Sequence, residues 1–286
     1  MNHNPKRNHS LAEVFADTLS YIEENRTLNK AQNKSIAETV LYQADEEIPL
    51  PAEKRSEPAK IFLSGARTFE AAMRLHKENP GKKIAVLNFA SAVNPGGGVI
   101  LGASAQEECL CRCSTLYGTL DQEDLWNRYY LVNRRVKNSL YTDACIYSPG
   151  ILICKTDEAQ PERMKEEEFV SADVITCAAP KLGREYQRGD DPDLDAKLAS
   201  IYRSRIRRIL EIAAVRKAEI LVLGAFGCGA FHNDPDLVSK AFDEELKNYL
   251  NRFEIVEFAV YCREAETKNY RAFRQNLSTA EELIAV

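Results

Sequence analysis

Three consecutive glycines, Gly96, Gly97 and Gly98, precede the residues Gln106, Glu107 and Glu108 by a spacer of seven residues. Glycines let the backbone approach a ligand closely, and successive N–H groups turned to one side bind an anion such as a diphosphate. A carboxyl group beside a sugar and shielded from water has a raised pKa, and it can serve as acid and base in glycosidic hydrolysis. The stretch therefore combines a candidate anion site with a candidate acid–base pair.

A second glycine-containing loop, residues 224–229 (GAFGCG), offers the same chemistry. Asn233 or Asp234 is suited to cap the helix after it, and Pro235 fits a first helical turn. Two such loops facing each other would suit a diphosphate. The alternative is that these glycines only form tight turns. Neither loop is a nucleotide-triphosphate P-loop, because no Gly-Lys-Ser/Thr comes after the glycines, and His232 stands where a dinucleotide-binding loop has its last glycine.

Glu107 and Glu108 are predicted to lie in the first turn of a helix, where the helix dipole favours negative charge. A purely structural role for both therefore stays open. Adjacent helical residues point about 100° apart, so the two side chains can have different duties.

Short apolar runs predict strands, and helical patterns lie between them, which indicates an α/β fold with a mixed or largely parallel sheet covered on both faces. The predicted strands are residues 60–65, 83–90, 144–148, 151–155, 173–180, 219–227 and 255–262. The predicted helices between them are residues 66–80, 107–120, 193–218 and 234–250. In such sheets ligands bind where loops leave the carboxyl ends of strands, and both glycine loops come directly after predicted strands.

Residues 10–43 are predicted to be helical, with Ser10 and Glu13 forming a capping box. Three prolines in residues 46–58 then predict a connector. We therefore divide the chain into a helical N-terminal extension, residues 1–58, and a catalytic domain, residues 59–286.

The net charge of −5 provides no basic field for DNA, and no run reaches the roughly 18 apolar residues of a membrane helix. The N-terminal sequence lacks the apolar segment of a secretory signal, and most of the eight cysteines lie in apolar runs, so we expect a cytoplasmic protein with reduced thiols. Cys109, Cys111 and Cys113 favour packing over metal binding, because on a helix only the first and last share a face and no histidine is near.

The glycine triplet, its spacer and Gln106-Glu107-Glu108 resemble the motif of the poly(ADP-ribose) glycohydrolases, in particular the compact bacterial type. The resemblance extends in order through LNFASAVNPGGG, YSPG, VITCAAP, LVLGAFGCGAFHNDP and FAVYCRE. It implies a macrodomain-like three-layer α/β/α fold with a mixed central sheet.

The resemblance also implies roles. Glu108 would be the catalytic acid/base at the ribose–ribose O-glycosidic bond, and Glu107 would orient the ribose. The implied substrate-binding residues are Asn94, Gly96, Gly97, Gly98, Val99, Gln106, Gly227, Cys228, Gly229, Ala230 and Phe231. The animal enzymes have FAN where this chain has FASAVNP, so Asn94 or Ser91 would replace the ribose-binding asparagine. No counterpart of the animal tyrosine-bearing clasp is apparent, which favours exo action.

The function that the resemblance implies is hydrolysis of poly(ADP-ribose) to ADP-ribose without metal or redox cofactor. Its partners would be the polymer or ADP-ribosylated proteins, with ADP-ribose as the product ligand and neither membrane nor DNA. Two alternatives stay open: a non-catalytic ADP-ribose-binding module, and a hydrolase of another ADP-ribosyl linkage.

Overall fold

The computed structural model describes residues 10–136, 138–183, 193–262 and 267–283, and these form ten α-helices and eight β-strands. The helices are α1 (Leu11–Glu24), α2 (Arg26–Glu38), α3 (Thr68–Glu78), α4 (Gln106–Cys113), α5 (Leu116–Leu120), α6 (Glu123–Leu125), α7 (Leu131–Arg135), α8 (Leu194–Val215), α9 (Pro235–Leu246) and α10 (Lys268–Asn276). The strands are β1 (Val40–Tyr42), β2 (Lys60–Ser64), β3 (Ile84–Phe89), β4 (Cys145–Ile153), β5 (Val170–Cys177), β6 (Ile220–Leu223), β7 (Ile255–Ala259) and β8 (Glu281–Leu283).

All eight strands belong to one mixed sheet, in the order β1-β4-β5-β3-β6-β7-β2-β8. The strands from β5 to β8 in that order pair in parallel, whereas β4 pairs antiparallel with both β1 and β5. Because β3 and β6 are parallel neighbours, the two glycine loops at their carboxyl ends leave the same edge of the sheet. The topology thus places side by side two loops that lie far apart in the sequence.

The central strands are buried on both faces, as their near-continuous apolar runs predict. On β3, Val86 packs into the core below α3, α4 and α5, while Leu87 packs into the core below α8, α9 and α10. One hydrophobic core therefore lies on each face of the sheet. The predicted three-layer α/β/α architecture is confirmed.

Short-range signals set several helix boundaries. The Ser10 hydroxyl accepts the N–H of Glu13, and the Glu13 carboxylate accepts the N–H of Ser10 at 2.7 Å, which is the predicted capping box. Asp234 caps α9 with Pro235 in its first position. Asn233, the other predicted cap, instead donates its side-chain amide to the carbonyl of Pro180 at 2.7 Å.

Other boundaries differ from the prediction. Residues 40–42 form a strand and not the end of a helix, because α2 ends at Glu38. The side chains of Leu41 and Tyr42 pack into the cores on opposite faces of the sheet. The two strands predicted at residues 144–155 are one strand, β4, with a register shift between Ser148 and Ile151. The predicted helix at 107–120 is two helices, α4 and α5, separated at Ser114. The sequence predicts neither helices α6, α7 and α10 nor strand β8.

The N-terminal segment packs directly against the remainder of the chain. Phe15 of α1 belongs to the core that contains α3 to α5, and Lys155, which is buried after β4, donates to the carbonyl of Val14 at 2.8 Å. Strand β1 then extends the sheet beside β4. The described part of residues 1–58 shares a core with helices and strands of the predicted catalytic domain. The domain boundary at residue 58 stays a prediction.

None of the helices in the described part of the chain is long and apolar enough to cross a membrane.

Candidate active site

A cavity of about 410 Å³ lies at the sheet edge where the two glycine loops emerge. The predicted residues that line it are Gln106, Glu107, Glu108, Gly227, Gly229, Ala230 and Phe231. The structure therefore brings the glutamate pair of one loop and the glycine-containing segment of the other to one cavity. Gly96, Gly97, Gly98, Val99, Asn94 and Cys228 are not among its lining residues.

Helix α4 starts at Gln106, so both glutamates lie in its first turn as predicted. The Gln106 side chain connects this helix start to the end of β3. Its oxygen accepts the N–H of Phe89 at 2.8 Å, and its amide donates to the carbonyl of Leu87 at 2.8 Å and to the Thr68 hydroxyl at 3.0 Å. Gln106 thereby fixes the position from which Glu107 and Glu108 project.

Both carboxyl oxygens of Glu107 have hydrogen-bond donors. Oε1 accepts the side-chain amide of Asn88 at 3.3 Å, and Oε2 accepts the N–H of Ser91 at 2.7 Å. Asn88 also donates to the Thr176 hydroxyl of the neighbouring strand. Glu107 is only 2 % exposed, and this burial raises its pKa from 4.5 to about 8 despite the opposing hydrogen bonds. The sequence predicts a raised pKa for the carboxyl that acts as acid and base; the carboxyl whose pKa burial raises is that of the neighbouring Glu107.

Glu108 has a different environment. Its Oε1 accepts the N–H of Gly98 at 2.9 Å, while its Oε2 is buried and has no hydrogen-bond partner among the described residues. A buried carboxyl oxygen without a partner is costly and needs an explanation. Glu108 also lines the cavity, so this unpartnered carboxyl belongs to a residue of the cavity wall.

The carboxyl groups leave no space for a side chain at Gly97, and a tyrosine ring leaves none at Gly96. Gly97 has φ +58°, and a Cβ at this position would lie 2.5 Å from Oε1 of Glu108 and 3.2 Å from Oε2 of Glu107. Gly96 has φ +65°, and its Cβ would lie 2.8 Å from the ring of Tyr117. Only residues without a side chain let the backbone pass this close to both glutamates.

The N–H groups of the triplet have partners within the protein. That of Gly96 faces the Glu107 carboxyl, that of Gly97 donates to the carbonyl of Asn94 at 3.1 Å, and that of Gly98 donates to Glu108. Val99 is fully buried and its N–H donates to the carbonyl of Gly96. A diphosphate contact through this loop stays a prediction; the contacts that the structure contains are with the carboxyl groups.

The second loop differs in this respect. The N–H groups of Gly229, Ala230 and Phe231 have no acceptor within the described part of the chain, and all three residues line the cavity. Gly227, with φ +79°, allows the turn, because a Cβ there would lie 2.4 Å from the Tyr202 hydroxyl and 2.6 Å from the Ala179 Cβ. Cys228 is half-buried, and its thiol points to the carbonyl of Phe226. The donors open to an anion therefore lie in this loop.

Ser91 and Asn94, the two candidates for the ribose-binding position, line different cavities. Ser91 lines the cavity and donates its N–H to Glu107. Asn94 is exposed, its side-chain oxygen accepts the guanidinium of Arg134 at 2.5 Å, and it lines a second cavity.

The other end of the main cavity is formed by residues that were not predicted from the sequence. Arg67 lies 4.4 Å above the ring of Tyr261 and 3.9 Å from Oδ1 of Asp157. The other Asp157 oxygen accepts the N–H of Phe69 at the start of α3, and Asn269 also lines this end. The rule that located the glycine loops applies to Tyr261 as well, because it lies just beyond the carboxyl end of β7.

An aromatic pair connects the N-terminal helix to the glycine loop. The ring of Phe15 on α1 contacts the ring of Tyr117 edge-on, with 4.9 Å between centroids. Tyr117 in turn lies directly below Gly96. Helix α1 therefore supports the loop that fixes Glu107 and Glu108.

The cysteines of α4 behave as packing residues. Cys111 and Cys113 are buried, and burial raises the pKa of both thiols. The Cys109 thiol lies 3.4 Å from a guanidinium nitrogen of Arg112. Among the residues with described positions, no three metal-ligating side chains are grouped around a common point.

A family model described as the microbial-type PARG catalytic domain matches residues 12–156, which is more than half of the chain. The chain belongs to this family. The match includes α1 and α2 as well as the glycine triplet and the glutamate pair, so the predicted resemblance is confirmed. Comparison with curated proteins gives no match.

Solved structures of similar proteins agree with this family assignment. The poly(ADP-ribose) glycohydrolase of Thermomonospora curvata is 29 % identical over 93 % of this chain and 98 % of its own, with a TM-score of 0.81. The Deinococcus radiodurans enzyme in complex with ADP-ribose is 37 % identical over 86 % of this chain and 97 % of its own, with a TM-score of 0.76. The Thermomonospora curvata enzyme has also been solved with the inhibitor ADP-HPD (28 % identity, 93 % and 98 % covered, TM-score 0.76).

Membership in the PARG family makes this protein a poly(ADP-ribose) glycohydrolase, which is a glycosidase. The predicted enzyme class and fold are confirmed together. The roles of individual residues are treated below as proposals.

The raised pKa of Glu107 predicts a pH dependence of stability. The folded state keeps a proton that the unfolded state releases between about pH 4.5 and pH 8, so the free energy of unfolding should fall as pH rises through this window. Glu107→Gln removes the titrating group and resembles the protonated form. Relative to the parent, the variant should gain up to about 1.4 kcal/mol for each pH unit of the window.

Denaturant titrations of both proteins at pH 5 and pH 8 measure this difference. The two free energies should be similar at pH 5 and diverge in favour of Glu107→Gln at pH 8. A difference that does not change with pH would contradict the raised pKa.

Proposed function

We propose that the protein hydrolyses the ribose–ribose O-glycosidic bond of poly(ADP-ribose) with Glu108 as general acid and then general base. The observation that carries the assignment is the asymmetry of the pair. Both oxygens of Glu107 have donors, whereas Glu108 has one oxygen fixed by Gly98 and one buried oxygen without a partner in the described residues. Only Glu108 thus has an oxygen that is both positioned and available.

In the first half of the reaction, Glu108 acts as the general acid and donates a proton to the oxygen that links the two riboses. The bond between that oxygen and the anomeric carbon C1″ breaks, and the next polymer unit leaves as an alcohol. Water then forms a bond to C1″ and gives its proton to the Glu108 carboxylate, which restores the starting state. A positioned acid–base group of this kind contributes about 10²–10⁴-fold in rate.

Glu107 orients the reacting ribose in this proposal. With a pKa of about 8 it is mostly neutral at pH 7, so it can donate a hydrogen bond to a ribose hydroxyl. Ser91, whose N–H fixes Glu107, lies at the same wall of the cavity. The ribose would therefore be held by Glu107 while Glu108 reacts with its leaving oxygen.

The diphosphate is bound mainly by the second loop, where Gly229, Ala230 and Phe231 line the cavity and their N–H groups have no acceptor among the described residues. Successive backbone amides without an internal acceptor can bind an anion without a basic surface, which suits a chain with a net charge of −5. The aromatic ring of Phe231 provides contact area for the ribose or adenosine. The complex of the Deinococcus radiodurans enzyme with ADP-ribose supports this occupant.

Five of the eight cysteines are buried as free thiols, which supports a location in the reducing cytoplasm. The substrate that we propose there is polymer attached to modified proteins. We further propose exo action, because no counterpart of the animal tyrosine clasp is apparent in the sequence.

Digestion of long polymer, with products resolved by length over time, tests the proposal. Free ADP-ribose should appear from the earliest samples while the chains shorten gradually. Early accumulation of short oligomers would contradict exo action. Binding of ADP-ribose without any product would contradict hydrolysis and favour a binding module. Faster release from mono-ADP-ribosylated acidic, serine or arginine substrates than from polymer would show that another linkage is preferred.

A further inference from the structure

A second cavity, of about 360 Å³, lies beside the active site. The short segment from Ser91 to Asn94 separates the two: Ser91 lines the main cavity, whereas Val93 and Asn94 line the second. Three residues of extended chain span at most about 11 Å, so the two cavities are close neighbours. The segment is ordered by the Ser91 hydroxyl, which accepts the N–H of Asn94 at 3.1 Å.

The second cavity is lined by polar side chains together with Val93, Val136 and Tyr141, and Arg134 is the cation among its described lining residues. Asn138 and Ser139 contribute an amide and a hydroxyl, and Arg134 contributes its guanidinium. Arg134 Nε donates to the carbonyl of Val93 at 2.8 Å, and Nη2 donates to the side chain of Asn94. Within the described residues Nη1 has no acceptor. An exposed guanidinium fixed on one edge in this way can receive an anion on the other.

An aromatic ring also orients this guanidinium. Arg134 lies 4.8 Å from the centroid of the Trp126 ring, so one face of the guanidinium is covered. The opposite face is of the kind on which nucleobases stack.

The local charge is unlike that of the whole chain. Residues 126–136 contain three basic residues and no acidic residue, whereas the chain as a whole has a net charge of −5. Arg128, at the start of this stretch, pairs with Asp124 at 2.9 Å, while Arg134 has no carboxylate partner among the described residues. A polyanion would therefore be attracted to this side of the active site.

We propose that the second cavity binds the polymer unit on the leaving side of the scissile bond, with Arg134 contacting its diphosphate. This proposal rests on the proposed function, in which the reacting ribose lies against Glu107 and Ser91. The leaving oxygen belongs to the adenosine of the next unit, so that adenosine and its diphosphate lie beyond the reacting ribose. The segment 91–94 is the wall over which they pass, and the second cavity is on its far side.

Two substrates separate this contact from catalysis itself. One is an ADP-ribose dimer joined ribose to ribose, which has a complete leaving unit. The other is ADP-ribose joined at C1″ to a small aryl alcohol, which has none. Arg134→Gln should raise KM for the dimer about three- to tenfold. It should also reduce the slope of log KM against log salt concentration by the amount expected for one phosphate contact. For the aryl substrate, kcat and KM should both stay unchanged. The matched control Arg203→Gln, at a surface arginine that pairs with Glu244 and lines neither cavity, should change the constants for neither substrate.

A binding measurement tests the second cavity even if the protein does not catalyse the proposed hydrolysis. In a Glu108→Gln background, the dimer should bind more tightly than ADP-ribose, and Arg134→Gln should remove that difference. A dimer that binds no better than ADP-ribose, or a difference that survives Arg134→Gln, overturns the proposal whether or not the parent protein cleaves polymer. An equal rise in KM for dimer and aryl substrate also overturns it, since Arg134 would then act by holding the segment 91–94.

Discussion

Glu108→Gln should lower kcat for polymer cleavage by at least about 10²–10⁴-fold, the usual contribution of a positioned acid–base group. The amide oxygen can still accept the N–H of Gly98, so the side chain keeps its position, but the substituted group has no proton to transfer to the leaving oxygen. The dissociation constant of ADP-ribose should stay within about threefold of the parent value, since a general acid acts mainly in the transition state. Single-turnover cleavage and calorimetry measure the two quantities.

An exposed glutamate provides the control for loss of one negative charge. Glu78, at the end of α3, is exposed and pairs with Arg74 on the surface, so Glu78→Gln should leave kcat unchanged. Polymer cleavage at the parental rate by Glu108→Gln would remove Glu108 from the reaction.

Gly97→Ala should have the second-largest effect, and it should act on both stability and activity. A non-glycine residue at φ +58° costs about 1–3 kcal/mol of unfolding free energy. The added Cβ would also lie 2.5 Å from Oε1 of Glu108, so the carboxyl group or the loop must move. A displacement of about 1 Å at a reacting group can cost about 100-fold in rate.

Gly229→Ala is the matched control for stability, because its Cβ would meet no atom within 4 Å and its φ is not in the left-handed region. Its free energy of unfolding should stay within about 0.5 kcal/mol of the parent value. Denaturant titration and kcat together give the result for both variants. A Gly97→Ala protein with parental kcat would show that the close approach to Glu108 is not needed.

Features that depend on neighbouring residues could be predicted from the sequence. The capping box at Ser10 and the first-turn position of Pro235 are decided within a few residues, and both are found. The buried central strands β3 and β6 were visible as apolar runs. Because those strands are parallel neighbours, the rule for strand ends then placed both glycine loops at one site.

Features decided by distant partners could not be predicted. Val40–Tyr42 comes after a helix and continues the polar-apolar pattern of that helix. It is a strand because it pairs with β4, about a hundred residues later in the sequence. The position of Asn94 depends on Arg134, forty residues away. The sequence also contains no signal that Arg67 and Tyr261 meet, because their contact requires β2 and β7 to pair.

The glycine triplet shows the same limit within the site. Its composition predicts open N–H groups for a diphosphate, but the N–H of Gly98 donates to Glu108 and that of Gly97 donates to Asn94. The glycines predict that the backbone approaches another group closely, but they do not identify that group. In the structure that group is the glutamate pair, and the open donors lie in the second loop.

A crystal structure of the Glu108→Gln variant with ADP-ribose tests the assignment of Glu108 most directly. We expect the diphosphate on the N–H groups of Gly229 to Phe231, and the terminal ribose between Ser91 and Glu107. The side chain at position 108 should lie within hydrogen-bond distance of the oxygen on C1″. A ribose whose C1″ faces away from position 108, with the diphosphate bound elsewhere, would contradict the assignment of Glu108 as the catalytic acid.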